Sequence, residues 1–200
     1  MENKYSLVFI TGAMTSGKSK FLIDHIKFQE RYGFKVLKFK PRKDTRDLYE
    51  IRSREYSEGI PAHGISWELI PTFSADYLET VDLIVVDEAQ FLDLPSYKHI
   101  VQMAKGYNKP LIMCGLTWNF KLEMIPIISK MLKEEKPKII TLYARCFRCK
   151  EENATNSIKV SGRRIVWEGR DIDCQADYKA ICDNCLNILL KNQRMKEGRC

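Results

Sequence analysis

Over the first two-thirds of the chain, short and nearly continuous apolar runs alternate with segments of helical periodicity. Tyr5–Thr11, Lys35–Lys40, Leu83–Asp87, Pro110–Gly115 and Lys138–Tyr143 read as strands. Their β-branched, nearly continuous apolar character suits strands buried on both faces, because a strand with one wet face would alternate. Lys18–Tyr32, Leu94–Tyr107 and Leu122–Leu132 carry apolar residues at helical spacing. Such alternation predicts an α/β fold, a parallel sheet with helices on both faces. Pro41–Ser66 is polar and charged with weak periodicity, and reads as a long functional loop.

The texture changes near Arg145, where cysteine pairs appear and apolar periodicity fades. A boundary there divides the chain into residues 1–144 and a smaller module, 145–200. Within the module, 151–177 is rich in charge and turn-formers and reads as an extended loop held at both ends by cysteines, and Asp183–Arg194 as a helix.

The first predicted strand runs directly into Gly12-Ala13-Met14-Thr15-Ser16-Gly17-Lys18-Ser19, a full G-x-x-x-x-G-K-[ST] phosphate-binding loop. The next segment is helical, so the motif has its required strand–loop–helix context. Its glycines let consecutive N–H groups turn toward phosphate oxygens, and the helix start adds partial positive charge. Lys18 is expected to reach the outer phosphates of a nucleoside triphosphate and Ser19 to hold Mg²⁺.

Two hundred residues, 44% hydrophobic and 30% charged, suit one ordinary domain plus a small module. The net charge of +7 fits a nucleic-acid surface or simple attraction for polyanionic nucleotides, and does not choose between them. No basic leader precedes an apolar run, and no apolar run approaches membrane-spanning length, which predicts a soluble cytoplasmic protein without membrane partners. The seven cysteines are an odd number, which argues against a disulfide framework.

Two further constellations carry chemistry. The apolar strand Ile84-Val85-Val86 ends in Asp87-Glu88. In a phosphate-loop protein such an aspartate lies near the metal, and Glu88 then projects beyond the terminal phosphate, where it can take a proton from an attacking hydroxyl or water. Cys146-x-x-Cys149 and Cys182-x-x-Cys185 each offer two thiolates from one tight turn, together a closed, structural Cys₄ zinc site. Cys114 lies in an apolar strand and reads as core packing; Cys174 and Cys200 read as ordinary thiols. Arg46, in Lys43-Asp44-Thr45-Arg46, is placed to reach a transferring phosphate.

With these pieces in this order, the chain resembles the thymidine kinases of the cellular, bacterial and viral type that carry a zinc-binding lasso. The resemblance rests on Gly12–Ser19, Lys43–Arg46, Asp87-Glu88-Ala89-Gln90-Phe91, Gly115-Leu116 with Phe120, both cysteine pairs, and Tyr178 four residues before Cys182. It implies a P-loop (RecA-like) ATP-binding core followed by a small zinc-binding lasso domain. It implies a deoxynucleoside kinase of DNA-precursor salvage that moves the terminal phosphate of ATP to the 5′-hydroxyl of thymidine. Glu88 would be the general base and Arg46 would stabilise the transferring group. Gly12, Ala13, Met14, Thr15, Ser16, Gly17, Lys18, Ser19, Asp87 and Gln90 would hold ATP and its Mg²⁺. Met14, Phe120 and Tyr178 would contact the nucleoside, and Zn²⁺ would sit on the four cysteines. Such enzymes are typically homotetramers and do not act on nucleic acid.

The chain departs from the family at Leu92, at Thr117-Trp118, at Ser157-Ile158-Lys159, and in lacking paired glycines before Tyr178. All of these lie at the nucleoside end. A nucleic-acid-dependent P-loop ATPase with a zinc ribbon is the competing class, since Asp-Glu-Ala-Gln resembles helicase carboxylate motifs. It lacks room for a second motor domain. A non-catalytic nucleotide-binding module is opposed by the intact Lys18, Ser19, Asp87 and Glu88.

Overall fold

A computed structural model describes residues 5–45, 47–53, 55–161, 164–169 and 177–197. In chain order the elements are β1 (Leu7–Gly12), α1 (Lys18–Arg31), β2 (Val36–Pro41), β3 (Glu50–Ile51), β4 (Ile60–Pro61), β5 (His63–Ile65), α2 (Ala75–Thr80), β6 (Leu83–Val86), a 3₁₀ turn (Ala89–Phe91), α3 (Leu94–Gly106) and β7 (Leu111–Cys114). They continue with α4 (Pro126–Glu135), β8 (Lys138–Leu142), β9 (Ala144–Arg145), β10 (Glu152–Ala154), β11 (Asn156–Ser161), β12 (Arg164–Ile165), β13 (Tyr178–Ile181) and α5 (Asp183–Glu197).

Among the described residues the main sheet has six strands in the order β5-β2-β6-β7-β1-β8, every pair parallel. Leu7 pairs Leu111 and Leu37 pairs Ile84, so the apolar runs lie side by side. Successive side chains of one strand feed opposite faces. Ile84 and Val86 join Ile100, Val101, Ile128 and Met131 of α3 and α4, whereas Leu83 and Val85 join Leu22, Ile23 and Ile26 of α1. That period-two division of unbroken apolar strands is why they must be covered on both sides.

The predicted strand Lys138–Tyr143 is β8, and its expected burial on both faces is not what the sheet gives it. It lies at the sheet edge, with Ile139 52% and Tyr143 59% exposed. A strand at an edge keeps one flank open whatever its composition. The helix expected over Leu122–Leu132 starts later, at Pro126. Leu122 is left-handed (φ 63°), and Asn119 Oδ1 accepts from the N–H groups of Lys121 and Glu123, which makes a turn before the helix. Pro126 has no N–H to lose at a helix start.

The loop expected over 41–66 contains real pairing. β3 and β4 form a short antiparallel ladder, and β5 joins the main sheet beside β2. The 151–177 segment likewise contains strands: β11 pairs antiparallel with β12 and β13, and β10 with β9. α2 was not signalled by periodicity; the Ser74 hydroxyl caps it by accepting from Tyr77 N–H. A third apolar cluster joins Ala144, Ala154, Ile158, Ile181 and Leu186 with Ala13 of the phosphate loop. Among the described residues no helix is long and apolar enough to cross a membrane.

Candidate active site

Parallel strands put ligands at their carboxyl ends, and the chemistry-bearing residues gather there. β1 ends at Gly12, with φ 148°. A Cβ on Gly12 would stand 2.1 Å from Leu142 O and 2.7 Å from Ser16 Oγ, so no other residue fits the start of the loop. Gly17, also left-handed, leads into α1. Lys18 lies across its own loop and donates to Gly12 O at 3.1 Å and Ala13 O at 2.7 Å. The Ser16 hydroxyl is buried without a hydrogen-bond partner, a polar atom enclosed by the loop itself. Met14 N–H donates to Ser157 Oγ of β11 at 2.8 Å, tying the loop to the cysteine-bearing module.

The end of β6 supplies the carboxylates. Asp87 is 2% exposed and accepts from Ser19 Oγ at 3.2–3.4 Å. Burial, then the neighbouring Glu88, push its carboxyl up to about 7, and Lys40 opposes them. A hydroxyl and a carboxylate side by side are hard oxygen donors suited to magnesium. Glu88 is left-handed (φ 53°, ψ 42°) and starts the 3₁₀ turn. Gln90, 5% exposed, donates through Nε2 to Glu88 Oε2 and accepts from Leu116 N–H at 3.1 Å.

A cleft of about 620 Å³ collects these groups. Met14, Thr15, Gly17, Lys18, Ser19, Asp87, Glu88, Gln90, Phe120 and Tyr178 all line it. The Phe120 and Tyr178 rings lie 6.1 Å apart, and the ammonium groups of Lys121 and Lys159 each stand 5.7 Å from the Phe120 ring. Of the remaining loop residues, Ala13 and Ser16 are buried, and Gly12 faces an adjoining hollow of about 280 Å³ with Thr11, Thr117 and Trp118. Arg46 and Cys174 fall outside the described residues, as does Cys200.

Sequence reasoning gave Lys40 no role, and named Asp44 only within Lys43–Arg46 and Ser157 only within Ser157-Ile158-Lys159. Lys40 and Asp44 form an ion pair at 3.3 Å with both side chains almost fully buried, and Lys40 also donates to Glu50 O at 3.0 Å. Both line the cleft. The Ser157 bond to Met14 left no local signal, because the two residues lie 143 apart in the chain.

The cysteine pairs converge as their spacing predicts. The four sulfurs of Cys146, Cys149, Cys182 and Cys185 lie within 4.8 Å of one another, and those of Cys149 and Cys182 are 3.8 Å apart. Thiolates about 2.3 Å from a tetrahedral zinc stand ~3.8 Å apart, so the donor set fits that ion. Burial disfavours the Cys146 thiolate, but the backbone N–H groups of Cys182, Cys149 and Arg148 outweigh it and pull the thiol down to about 6. Cys185 is pushed up to about 12, first by burial and then by the neighbouring cysteines. Cys114 is buried in β7, as expected of core packing.

A family model described as thymidine kinase matches residues 5–186. The chain is 33% identical over 181 residues to a thymidine kinase of Ureaplasma urealyticum, covering 86% of this chain and 78% of that one. It is 31% identical over 186 residues to a thymidine kinase of Encephalitozoon cuniculi, covering 90% and 86%. With a thymidine kinase of Enterobacteria phage T4 the identity is 32% over 195 residues, covering 93% and 97%. Among solved structures, a DNA replication initiation factor aligns with 69% of this chain and 40% of its own at 17% identity, with a TM-score of 0.41, too loose a match to inform the site.

Proposed function

The chain belongs to the thymidine kinase family, and on that premise we propose that it transfers the terminal phosphoryl group of ATP to the 5′-hydroxyl of thymidine, giving thymidine monophosphate and ADP. The observation that carries this reading is a single cleft lined both by the phosphate-loop residues Lys18 and Ser19 and by Glu88, Phe120 and Tyr178. Donor and acceptor therefore have walls in one enclosure, as direct transfer requires.

The roles follow from chemistry. Lys18 exchanges the loop carbonyls it now contacts for phosphate oxygens. Ser19 and Asp87 would hold the magnesium that accompanies the triphosphate, which would supply charge neutralisation there. As the 5′-oxygen bonds to phosphorus and the bond to the ADP oxygen breaks, the hydroxyl proton passes to Glu88. Arg46, carried over from the family resemblance, stabilises the transferring charge. Phe120 and Tyr178 flank the nucleoside. The four cysteines would hold zinc, which would tie the β9–β10 turn to the start of α5, within a module that we assign to residues 145–200 following a catalytic unit of 1–144.

We also propose a homotetramer. The exposed Phe28 of α1, the exposed Tyr32 just past its end and the open edge at β8 support self-association, and sedimentation tests it. The deciding experiment for the activity measures ADP release by purified protein with thymidine, with single-stranded DNA, and with neither. ADP in step with thymidine monophosphate is expected. ADP release driven by DNA alone would replace the proposal with a nucleic-acid-dependent ATPase.

A further inference from the structure

We infer that Gln90 is a positioning residue that holds the Glu88 carboxylate in its working orientation and keys it to the acceptor wall of the cleft. The inference rests on Glu88 as the base.

A glutamate side chain turns about three bonds. To accept a proton from an attacking hydroxyl, its carboxylate must stay within hydrogen-bond reach of one point in space. Glu88 begins this task on a left-handed backbone at the start of a 3₁₀ turn. The Gln90 amide holds one of its carboxylate oxygens. Leu116 N–H can only donate, so the amide oxygen must face it. The amide NH₂ is thereby turned to Glu88 Oε2, to which it donates. Both orientations follow from one fixed backbone N–H.

The space for this crossing is built in just past the end of β7. A Cβ on Gly115 would stand 2.5 Å from Gln90 Oε1 and 3.2 Å from the backbone nitrogens of Ala89 and Gln90. Glycine at 115 lets the amide pass between the ends of β6 and β7. Leu116 lines the cleft, and four residues later the same segment presents Phe120. The base is thus referenced to the wall that faces the nucleoside. Of the 20 side chains, few have both the reach and the two-sided chemistry: glutamate lacks the donor, methionine lacks donor and strong acceptor, and asparagine is a methylene short.

The test is steady-state kinetics on Gln90→Met, Gln90→Glu, Glu88→Gln and the double variant Glu88→Gln/Gln90→Met, with thermal unfolding of each. Gln90→Met is expected to lose about 10- to 100-fold in kcat, as for a catalytic group misplaced by about 1 Å, with both KM values little changed. Gln90→Glu keeps an acceptor for Leu116 N–H but sets a carboxylate against Glu88, and is expected to be as slow. The double variant should be no slower than Glu88→Gln alone. Wild-type turnover in Gln90→Glu would show that only the Leu116 anchor matters and overturn the inference. So would a raised KM for ATP at unchanged kcat, which marks a nucleotide contact, or a further loss in the double variant. Undiminished turnover in Glu88→Gln alone removes the base itself, an outcome read before Gln90 is touched.

Discussion

Met14 N–H of the phosphate loop donates to Ser157 Oγ of β11 across 2.8 Å, so the loop that grips the nucleotide is hydrogen-bonded to the module that the cysteines organise. Ser157 is 6% exposed, which makes this a dry contact in which a lost partner is felt. Ser157→Ala is expected to loosen both ends together, raising KM for ATP and for thymidine by roughly 3- to 10-fold, the scale of one hydrogen bond of about 1 kcal/mol. Titrating each ligand in the presence and absence of the other checks it. A change confined to one ligand would mean that the bond carries no coupling.

Lys18→Ala is expected to lower turnover by at least roughly 10²-fold, since it removes a charge aimed at the developing phosphoryl oxygens. Lys18 also donates to Gly12 O and Ala13 O of its own loop, so a loss of turnover is read beside any change in stability. Turnover and thermal unfolding measured on one preparation separate these effects. Near-normal turnover would remove the phosphate loop from the chemistry.

Glu88→Gln is expected to keep the fold and nucleotide affinity while lowering turnover on thymidine by roughly 10²–10⁴-fold. A glutamine is isosteric and accepts no proton. Direct binding of ATP and thymidine to the variant shows whether the loss lies in chemistry. Preserved turnover with intact binding would leave Glu88 as a strand-end residue only.

Lys40→Met removes one member of the buried Lys40–Asp44 ion pair, a change that costs about 3–5 kcal/mol for such pairs. The Lys40 ammonium also holds Glu50 O, so the segment after β2 should loosen in the same variant. Denaturant unfolding gives the first quantity and proteolysis between residues 42 and 50 the second. An unchanged midpoint would mean that the ion pair contributes nothing net.

Protein purified without added metal is expected to carry one zinc per chain, and Cys182→Ser to lose it. Because the four sulfurs join the β9–β10 turn to α5, the loss should damage thymidine binding before ATP binding. Elemental analysis with paired binding measurements decides. Wild-type metal content in Cys182→Ser would remove that residue from the site.

The elements that were legible in the sequence are those whose cause is local. The phosphate loop needs glycine where backbone crowds, a strand before and a helix after, and all three are contiguous. The unbroken apolar character of β6 and β7 announced burial on both faces, and the C-x-x-C spacing announced two ligand turns. Tertiary structure alone decided what depends on partners distant in the chain. The β8 run has the composition of a buried strand and lies at an edge because the sheet ends there. The strands of 151–177 were hidden because short, polar ladders gain their order from pairing, as β11 does with β13, and not from a periodic apolar face. Lys40 with Asp44, Ser157 with Met14, and the Gln90 bridge from Glu88 to Leu116 are satisfied polar groups inside a wall. Nothing in a one-dimensional pattern distinguishes a lysine or glutamine that will be buried with a partner from one that will meet water, because the partner comes within reach only when the sheet has assembled.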